Sequence, residues 1–304
     1  MLGCNTLILD ANNWMNHVQH LKQYPFRLSE FYNLNSQFTM NEFSLKYVVK
    51  GSESYHIAKE DYKLNEQSFL IGNNHQKCEV LIKSKHKDVG LCIDLDPVIL
   101  KKALKDIVLP NGLDETNCHN WFLTEDLFLA SSPASLSFST YLNNIALSIQ
   151  RRSFDISYNT EEVQLELFKH IINSQFPLIQ SYYRLEVVKQ STRKELLKRL
   201  ILAKTYMEDN CCNNITIQDL SRISLISEYR FFHLFKSVFQ QSPYQFLLMK
   251  KMIKAKELFK SGKYKWSDIA ILLGYDNISS FSKAYKKFHG ISASHDEESS
   301  QISS

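Results

Sequence analysis

Glycine, proline, cysteine and long apolar runs are all scarce in this chain, and the scarcities exclude several classes of protein. Of 304 residues, 8 are Gly, 6 are Pro and 6 are Cys. No apolar run reaches the roughly 20 residues that a membrane span needs. The N-terminus, MLGCNTLILDANNW, has no basic flank before its short apolar stretch, unlike a secretory signal. We therefore expect a soluble cytoplasmic protein without a membrane partner.

The cysteines do not have the spacing of a metal or disulfide framework. No C-x-x-C pair occurs, and two of the six are adjacent, which is too constrained for an ordinary bridge. Reduced, mostly buried thiols and no cofactor are expected. The six are Cys4, Cys78, Cys92, Cys118, Cys211 and Cys212.

Composition favours a folded chain of two domains with unequal charge. Hydrophobic residues make up 44% and charged residues 22%, which is typical of packed globular cores. The net charge is only +4, yet residues 193–289 contain 18 Lys/Arg against 8 Asp/Glu. A basic module for a polyanion, joined to a different kind of domain, is one interpretation. A solvated basic surface is the plainer one.

The first third of the chain reads as strands. Short segments rich in β-branched and aromatic residues alternate with polar or Gly breaks, which predicts a small antiparallel barrel or sandwich. The segments are 44–51, 53–58, 61–64, 67–72, 78–83 and 89–95. From Pro97 the spacing of the apolar residues changes to that of helices. One helix is predicted over 97–108, a second within 129–152 that begins near Pro133, and a third over 160–185.

The amphipathic stretch 160–185 allows two roles. Its apolar positions include Val163, Leu167, Ile171 and Ile172. It could pair two protomers, or it could pack against its own sheet. A further domain is predicted to open with a capping box at Thr192 and Glu195.

Two segments of the last third are imperfect copies of each other. The first copy is residues 216–239, TIQDLSRISLISEYRFFHLFKSVF, and it aligns with residues 266–289. Paired positions lie 49 residues apart before the turn and 50 residues apart after it. Repetition of this kind indicates a duplicated supersecondary unit, here helix, tight turn and helix. A small residue, Ser221 or Ala270, stands where the helices cross.

The turns of the two copies differ. Gly274 suits a left-handed turn at no steric cost, whereas Leu225 at the corresponding place adopts it only at a cost of roughly 1 kcal/mol. Ser227 is predicted to cap the following helix in the first copy, and Asp276 or Asn277 in the second.

Each second helix has an apolar face and a polar face. Phe231, Leu234, Phe235 and Val238 in the first copy, and Phe281, Ala284, Tyr285 and Phe288 in the second, repeat at helical spacing and are predicted to face the core. The opposite faces carry hydroxyls and cations, which suit a DNA major groove and its phosphates. A helical bundle with an incidental basic face is the alternative, which tandem duplication disfavours.

The connecting segment predicts a long helix. Ser242 caps it, Pro243 takes the first helical position, and Gly262 ends it. At 1.5 Å per residue the helix is about 27 Å long, so it could hold two recognition helices roughly one DNA turn apart.

These motifs closely resemble the DNA-binding domain of the AraC/XylS family of bacterial transcription regulators. The matching elements are DLSRISLISEYRFFHLFK, SPYQF, KMIKAKELF and DIAILLGYDNISSFSKAYKKFHGIS, over about 195–292. The resemblance implies double-stranded promoter DNA and RNA polymerase as partners. A homodimer paired through the middle helices is a separate expectation. The implied DNA-binding residues are Tyr229, Arg230, Phe232, His233, Lys236, Asn277, Ser279, Ser282, Lys283 and Lys286. The implied turn and packing residues are Ser221, Leu225, Ala270 and Gly274.

Some positions depart from the family pattern. Lys251 stands for a usual Arg, Gln240 for a common Gly, and the apolar Phe232 and Ile278 replace frequent polar readers. The chain also ends in GISASHDEESS without the usual Pro and aromatic-Arg pair.

The N-terminal strands resemble, less specifically, a cupin-like sensor domain that binds a small-molecule effector. His56, His75 and His86 do not have the spacing of cupin metal ligands, so sensing is favoured over catalysis. Two alternatives stay open, a cupin-fold metal enzyme with an accessory nucleic-acid domain, and a barrel that only dimerises.

The predicted fold is therefore α+β, an N-terminal antiparallel β-barrel with following helices and a C-terminal all-α domain with two helix-turn-helix units joined by a long helix. The predicted ranges are 1–115 for the sensor, 116–190 for the helical linker, 191–292 for the DNA-binding domain with units at 217–238 and 266–289, and 293–304 for a disordered tail.

Overall fold

The computed structural model describes residues 6–40, 43–57, 60–73, 77–108, 114–123, 131–151, 160–187, 189–293 and 295. The chain divides into two compact units, 1–179 and 180–304. His75 and most of the predicted tail 293–304 lie outside the described residues. Within the described residues, no helix has both the length and the apolar character needed to cross a membrane.

The first unit is built on one eight-stranded sheet. Its strands are β1 (Thr6–Leu9), β2 (Phe26–Thr39), β3 (Phe43–Lys50), β4 (Ser52–Ile57), β5 (Glu60–Asn65), β6 (Ser68–Asn73), β7 (Lys77–Leu95) and β8 (Ser132–Pro133). Between β1 and β2 lie a short helix α1 (Trp14–His17) and a 3-10 turn, Val18–Gln23. The order is β1-β2-β7-β3-β6-β8, and β4 pairs with both β5 and β7.

The α+β class is confirmed, but two details of the predicted barrel are wrong. The path of paired strands is open among the described residues, because no pairing joins β1 to the far edge. The β1–β2 pair is also parallel, whereas the others are antiparallel. Both β1 and the long β2 escaped the sequence pattern, since β1 is a short apolar run and the alternation of β2 is interrupted near Phe31–Asn33, where its pairing with β7 shifts register. The cupin-like character of this unit stays a prediction.

Strand β3 is buried on both faces of the sheet. Its six consecutive residues Phe43–Val48 are all buried, including the polar Ser44 and Lys46. Phe43 of β3 pairs with Leu95 of β7 and with Asn73 of β6, at the centre of the sheet. Burial on both sides is typical of a central strand.

Helices of the first unit cover this sheet. They are α2 (Pro97–Val108), α3 (Glu115–Leu123), α4 (Leu136–Gln150) and α5 (Thr160–Tyr183), the last of which ends in the second unit. The Phe168 ring lies 5.6 Å from Phe43. Leu167, Ile171 and Ile172 of α5 are fully buried. Of the two roles weighed for 160–185, packing against the sheet therefore accounts for these side chains.

The second unit is helical throughout its described residues. Its helices are α6 (Gln190–Asp209), α7 (Ile217–Ser224), α8 (Glu228–Phe239), α9 (Pro243–Lys260), α10 (Trp266–Leu272) and α11 (Ile278–His289). The predicted capping box at Thr192 is wrong, because α6 already begins at Gln190 with Lys189 as its N-cap. Glu195 instead pairs with Arg199 one turn later, at 2.8 Å.

The long helix α9 follows the sequence prediction closely. Ser242 accepts from the Gln245 N–H while Gln245 reaches back to the Ser242 N–H, which forms a capping box, and Pro243 occupies the first turn. Helix α9 contacts α6 and α8, which precede it in the sequence, and α10 and α11, which follow it. It therefore joins two small three-helix cores.

Candidate nucleic-acid interface

The first helix-turn-helix consists of α7 and α8. Helix α7 starts with a capping box between Thr216 and Asp219, and these hydrogen bonds lower the pKa of Asp219. Leu225 ends the helix in the left-handed conformation with φ 54°, as the sequence predicts. The Ser221 hydroxyl donates to the Ile226 carbonyl at 2.6 Å, so this small residue also ties the turn.

The second helix-turn-helix consists of α10 and α11. Gly274 has φ +76° and its N–H donates to the Ile271 carbonyl. The Tyr275 N–H donates to the Ala270 carbonyl at 3.0 Å, just as the Ile226 N–H donates to Ser221 in the first copy at 3.2 Å. The duplicated sequence thus has a duplicated backbone turn.

A cation from the preceding long helix closes each turn. Arg199 of α6 donates to the Leu225 carbonyl at 3.3 Å, and Lys251 of α9 donates to the Leu273 carbonyl at 2.7 Å. Burial lowers the pKa of Lys251, and the nearby thiols of Cys211 and Cys212 offset this in part. Lys251, which departs from the family pattern, therefore has a structural role at the second turn.

The two recognition helices begin in different ways. Asn277 accepts from the Ser280 N–H at 2.8 Å and so caps α11. Its side chain was predicted both to cap and to bind DNA, and the structure places it in the cap. Ser227 occupies the N-cap position of α8 but makes no side-chain capping hydrogen bond, so its predicted capping is wrong.

The apolar faces of α8 and α11 lie largely where the sequence predicts. Phe231, Phe235, Phe281 and Tyr285 are fully buried. Phe288 is the exception, since 42% of it is exposed. An α-helix has about 3.6 residues per turn, so two turns after Phe281 the buried face lies between residues 288 and 289. Here His289 turns inward, with its Nε2 3.2 Å from the Met252 carbonyl oxygen.

The opposite faces carry the predicted DNA-binding residues, most of them exposed. In the first copy Phe232 is half-buried, and in the second Ser282 is half-buried. Tyr229 lies 4.4 Å from His233 between ring centroids, so these two rings form one aromatic surface. The remaining exposed members are Arg230, Lys236, Ser279, Lys283 and Lys286.

Among the described residues, the cations on these two faces make no internal ion pair, unlike several other cations of the unit. Several cations elsewhere are paired, as in Arg199–Glu195, Lys250–Glu208 and Lys254–Glu257. In the described part of the chain, by contrast, no ion pair or side-chain hydrogen bond involves the recognition-helix cations Arg230, Lys236, Lys283, Lys286 and Lys287. Their charge is thus free to meet an external polyanion.

Comparison with known proteins assigns the fold of this region. Residues 220–298 match the family model described as "Helix-turn-helix domain". "Probable transcriptional regulator LumQ" of Photobacterium leiognathi is 31% identical over 93 residues, and "Raffinose operon transcriptional regulatory protein RafR" of Pediococcus pentosaceus is 31% identical over 94. The C-terminal domain is an AraC-type helix-turn-helix domain.

These alignments are confined to the AraC-type domain. They cover 31% of this chain in both cases, and 38% of LumQ and 34% of RafR. The crystal structure of an apo ToxT variant from Vibrio cholerae matches over 89% of this chain and 96% of its own, at 12% identity and a TM-score of 0.37. The identification rests on the helix-turn-helix match.

Sequence reasoning overlooked one exposed cation of the second recognition helix, α11. Lys287 lies in the last turn of α11, next to the predicted Lys286. The sequence YKKFH indicates this exposure, because Lys286 and Lys287 are the two residues after the buried Tyr285 and therefore lie away from the core face of the helix.

The two described histidines that were weighed as cupin metal ligands, His56 and His86, are exposed. His56 Nδ1 lies 2.8 Å from Asp61 Oδ1, and both side chains are more than half exposed. His86 is exposed as well. In the described residues, no three His, Cys, Asp or Glu side chains converge as a metal site would require.

We expect Leu225→Gly to stabilise the AraC-type domain. A non-glycine residue in the left-handed conformation costs about 1–2 kcal/mol of stability. Glycine avoids this cost but loses about 0.5–1 kcal/mol, because its unfolded chain has more conformational freedom. Leu225 is 74% exposed, so removing its side chain gives up little buried surface. The net gain in unfolding free energy should be about 0.5–1 kcal/mol, measured by urea denaturation.

Gln240→Gly is the matched control for that substitution. Gln240 is also left-handed, with φ 58°, but its side-chain amide donates to the Ser237 carbonyl at 2.5 Å. Removing that hydrogen bond should make its gain smaller. A lower stability of Leu225→Gly than of the parent chain would show that the Leu225 side chain has a packing role.

Proposed function

We propose that this chain is a sequence-specific regulator of transcription that binds double-stranded promoter DNA through its AraC-type domain. The observation that carries the proposal is the pair of recognition helices, each with exposed cations that have no partner among the described residues. A cation that meets phosphate releases counterions, which supplies most of the sequence-independent affinity. The transcriptional regulators LumQ and RafR, similar to this chain over the same domain, support the assignment.

The two helices are proposed to read DNA by different means. In α8 the side chains are bulky, with Tyr229, Phe232 and His233 beside Arg230, and these suit thymine methyls and one guanine contact. In α11 the short Ser279 and Ser282 flank Lys283, and they suit closer hydrogen bonding to base edges. Lys236 and Lys286, further along each helix, are assigned to phosphates.

Two protein partners and one small molecule complete the proposal. A regulator bound at a promoter acts through RNA polymerase, and a homodimer would place two AraC-type domains on one operator. The N-terminal unit is proposed to receive the small-molecule signal. Sedimentation of the purified chain at micromolar concentration tests the dimer, and a monomer under all conditions would contradict it.

A mobility-shift titration tests the DNA-binding proposal directly. Lys236 and Lys286, assigned to phosphates, should each neutralise one phosphate, so log Kobs should fall with log salt at a slope of about −2. Sequences selected from a random pool should contain two half-sites about 10 base pairs apart, because successive major grooves on one side of the duplex have that spacing. Equal affinity for selected and random DNA at 150 mM salt, about physiological, would refute sequence-specific regulation.

A further inference from the structure

Two thiols lie side by side in the loop between α6 and α7. Cys211 and Cys212 are adjacent in the chain, and their side chains are hydrogen-bonded to each other. Cys211 is only 6% exposed, whereas Cys212 is half-buried and borders the second three-helix core. An ion from solvent therefore reaches the pair from the side of Cys212.

These two sulfurs suit a shared ion better than a bond to each other. Adjacent Cα atoms across a trans peptide bond are about 3.8 Å apart, whereas ordinary disulfides join Cα atoms about 4.4–6.8 Å apart. A disulfide between Cys211 and Cys212 would therefore require movement of the backbone. A metal ion relaxes this limit, because two bonds of about 2.3 Å, the length of a zinc–thiolate bond, allow sulfurs up to about 4.6 Å apart.

One ammonium group faces the two thiols. Lys251 of α9 is half-buried, and Cys211 and Cys212 are the ionisable groups that act on it. Its Nζ and the Cys212 carbonyl oxygen lie 3.5 and 3.8 Å from the position that a Cβ on Gly274 would take. In the described part of the chain, Lys251 makes no ion pair with a carboxylate. The thiols thus lie beside a cation that has no anion.

A second lysine nearby is already neutralised. Lys254, three residues further along α9, also acts on both thiols, but its Nζ lies 3.0 Å from a carboxylate oxygen of Glu257. Because the charges of Lys254 and Glu257 largely cancel, Lys251 is the cation available to an anion formed at the thiols.

The two thiols are expected to stay protonated until an ion binds. Burial raises the pKa of Cys211, and Cys212 raises it further, while the charge of Lys254 offsets this in part. A metal ion deprotonates a coordinating thiol outright. Binding of one monovalent ion therefore forms two metal–sulfur bonds, converts both thiols to thiolates and releases two protons to solvent.

We propose that Cys211 and Cys212 bind one Cu(I) ion as a two-thiolate site beside Lys251. Thiolates favour Cu(I), zinc and iron–sulfur clusters. Structural zinc and the clusters take four protein ligands, and among the described residues no third His, Cys, Asp or Glu side chain joins the pair. Cu(I) is monovalent, so its complex with two thiolates carries one negative charge, which the ammonium of Lys251 balances. The site does not depend on the DNA-binding proposal.

Anaerobic titration of the reduced full chain with Cu(I), in competition with a chromophoric Cu(I) chelator, tests the site. The double variant Cys211→Ser/Cys212→Ser should bind one Cu(I) fewer than the parent chain, because serine keeps the size of the side chain but not its soft sulfur. Zn(II) should bind the two proteins equally. Cys118→Ser, which removes a fully buried thiol of the first unit, is the matched control and should bind as many Cu(I) ions as the parent chain.

The same titration tests the role of the ammonium group. Lys251→Met should weaken the Cu(I) affinity about tenfold or more, because an interaction between charged groups is lost. Lys251→Arg keeps the charge and should retain the affinity, which separates this effect from the hydrogen bond that Lys251 makes at the second turn. Lys260→Met is the matched control, since Lys260 is exposed at the end of the same helix, and it should keep the affinity of the parent chain.

Three results would overturn the proposal. They are equal numbers of Cu(I) ions bound by the parent chain and the double variant, loss of one bound Zn(II) together with the two cysteines, and unchanged Cu(I) affinity in Lys251→Met. Helical circular dichroism checks that the double variant is folded. Cys212→Ser alone, at the half-buried position, provides the same test if the double variant does not fold.

Discussion

Trp266→Ala should lower the free energy of unfolding of the AraC-type domain by about 3–5 kcal/mol, the usual cost of truncating a large buried aromatic. Trp266 is 93% buried, since only 7% of it is exposed, and it lies at the centre of the second three-helix core. Its ring stacks on Phe259 of α9 at 4.1 Å and contacts Tyr285 of α11 at 4.9 Å. It therefore joins the long helix to the recognition helix.

The measurement is urea denaturation followed by helical circular dichroism, together with DNA affinity. Loss of Trp266 should also abolish the contribution of α11 to DNA binding, because the position of that helix depends on this ring. Trp266→Phe keeps an aromatic in the stack and should cost much less. Equal stability of Trp266→Ala and the parent chain would mean that the stack does not hold the domain together.

Arg230→Ala and Lys283→Ala should each weaken specific DNA binding about 10- to 100-fold without changing stability. A base contact of this kind contributes about 1–3 kcal/mol, and 1.4 kcal/mol corresponds to a factor of ten. Both side chains are exposed and make no hydrogen bond or ion pair within the described chain, so their loss removes no internal contact. Mobility-shift titration at fixed salt measures the change.

Lys101→Ala controls for the loss of one positive charge. Lys101 is an exposed residue of α2 in the first unit, and its removal should leave DNA affinity nearly unchanged. Arg230→Ala should relax the base preference of one half-site and Lys283→Ala that of the other. If either substitution lowers affinity equally for all sequences, its residue contacts phosphate rather than a base.

The helix-turn-helix units could be predicted from sequence because their determinants are local. A left-handed turn, a capping residue and a helical apolar repeat each occupy a few consecutive residues. The prediction extended to Leu225, whose φ of 54° follows from its alignment with Gly274. Where the local signal was ambiguous, as at Phe288 and Thr192, the prediction was wrong by about one position or one turn.

The roles of individual polar residues depended on neighbours that are distant in sequence. Asn277 is predicted both to cap a helix and to bind DNA, and the structure shows that its Oδ1 caps α11, while its DNA contact stays a prediction. Lys251 became a turn-closing residue only because α10 ends beside it, 22 residues later. Long-range pairing also produced β1, which is too short to alternate, and β2, whose alternation is interrupted near Phe31–Asn33.

By itself, the sequence determined the duplicated helix-turn-helix, its turns, its linker helix and its basic character, since each of these rests on short-range periodicity and charge. Only the tertiary structure decided which cations are free and which are used. Lys46 looks like one more polar residue in the strand SLKYVVK, and its hydrogen bond to Cys92 arises from strand β7, 46 residues away along the chain, where the same thiol also accepts from Arg27 of β2. Contacts over such distances depend on the register of the sheet, which residue patterns along one strand do not specify.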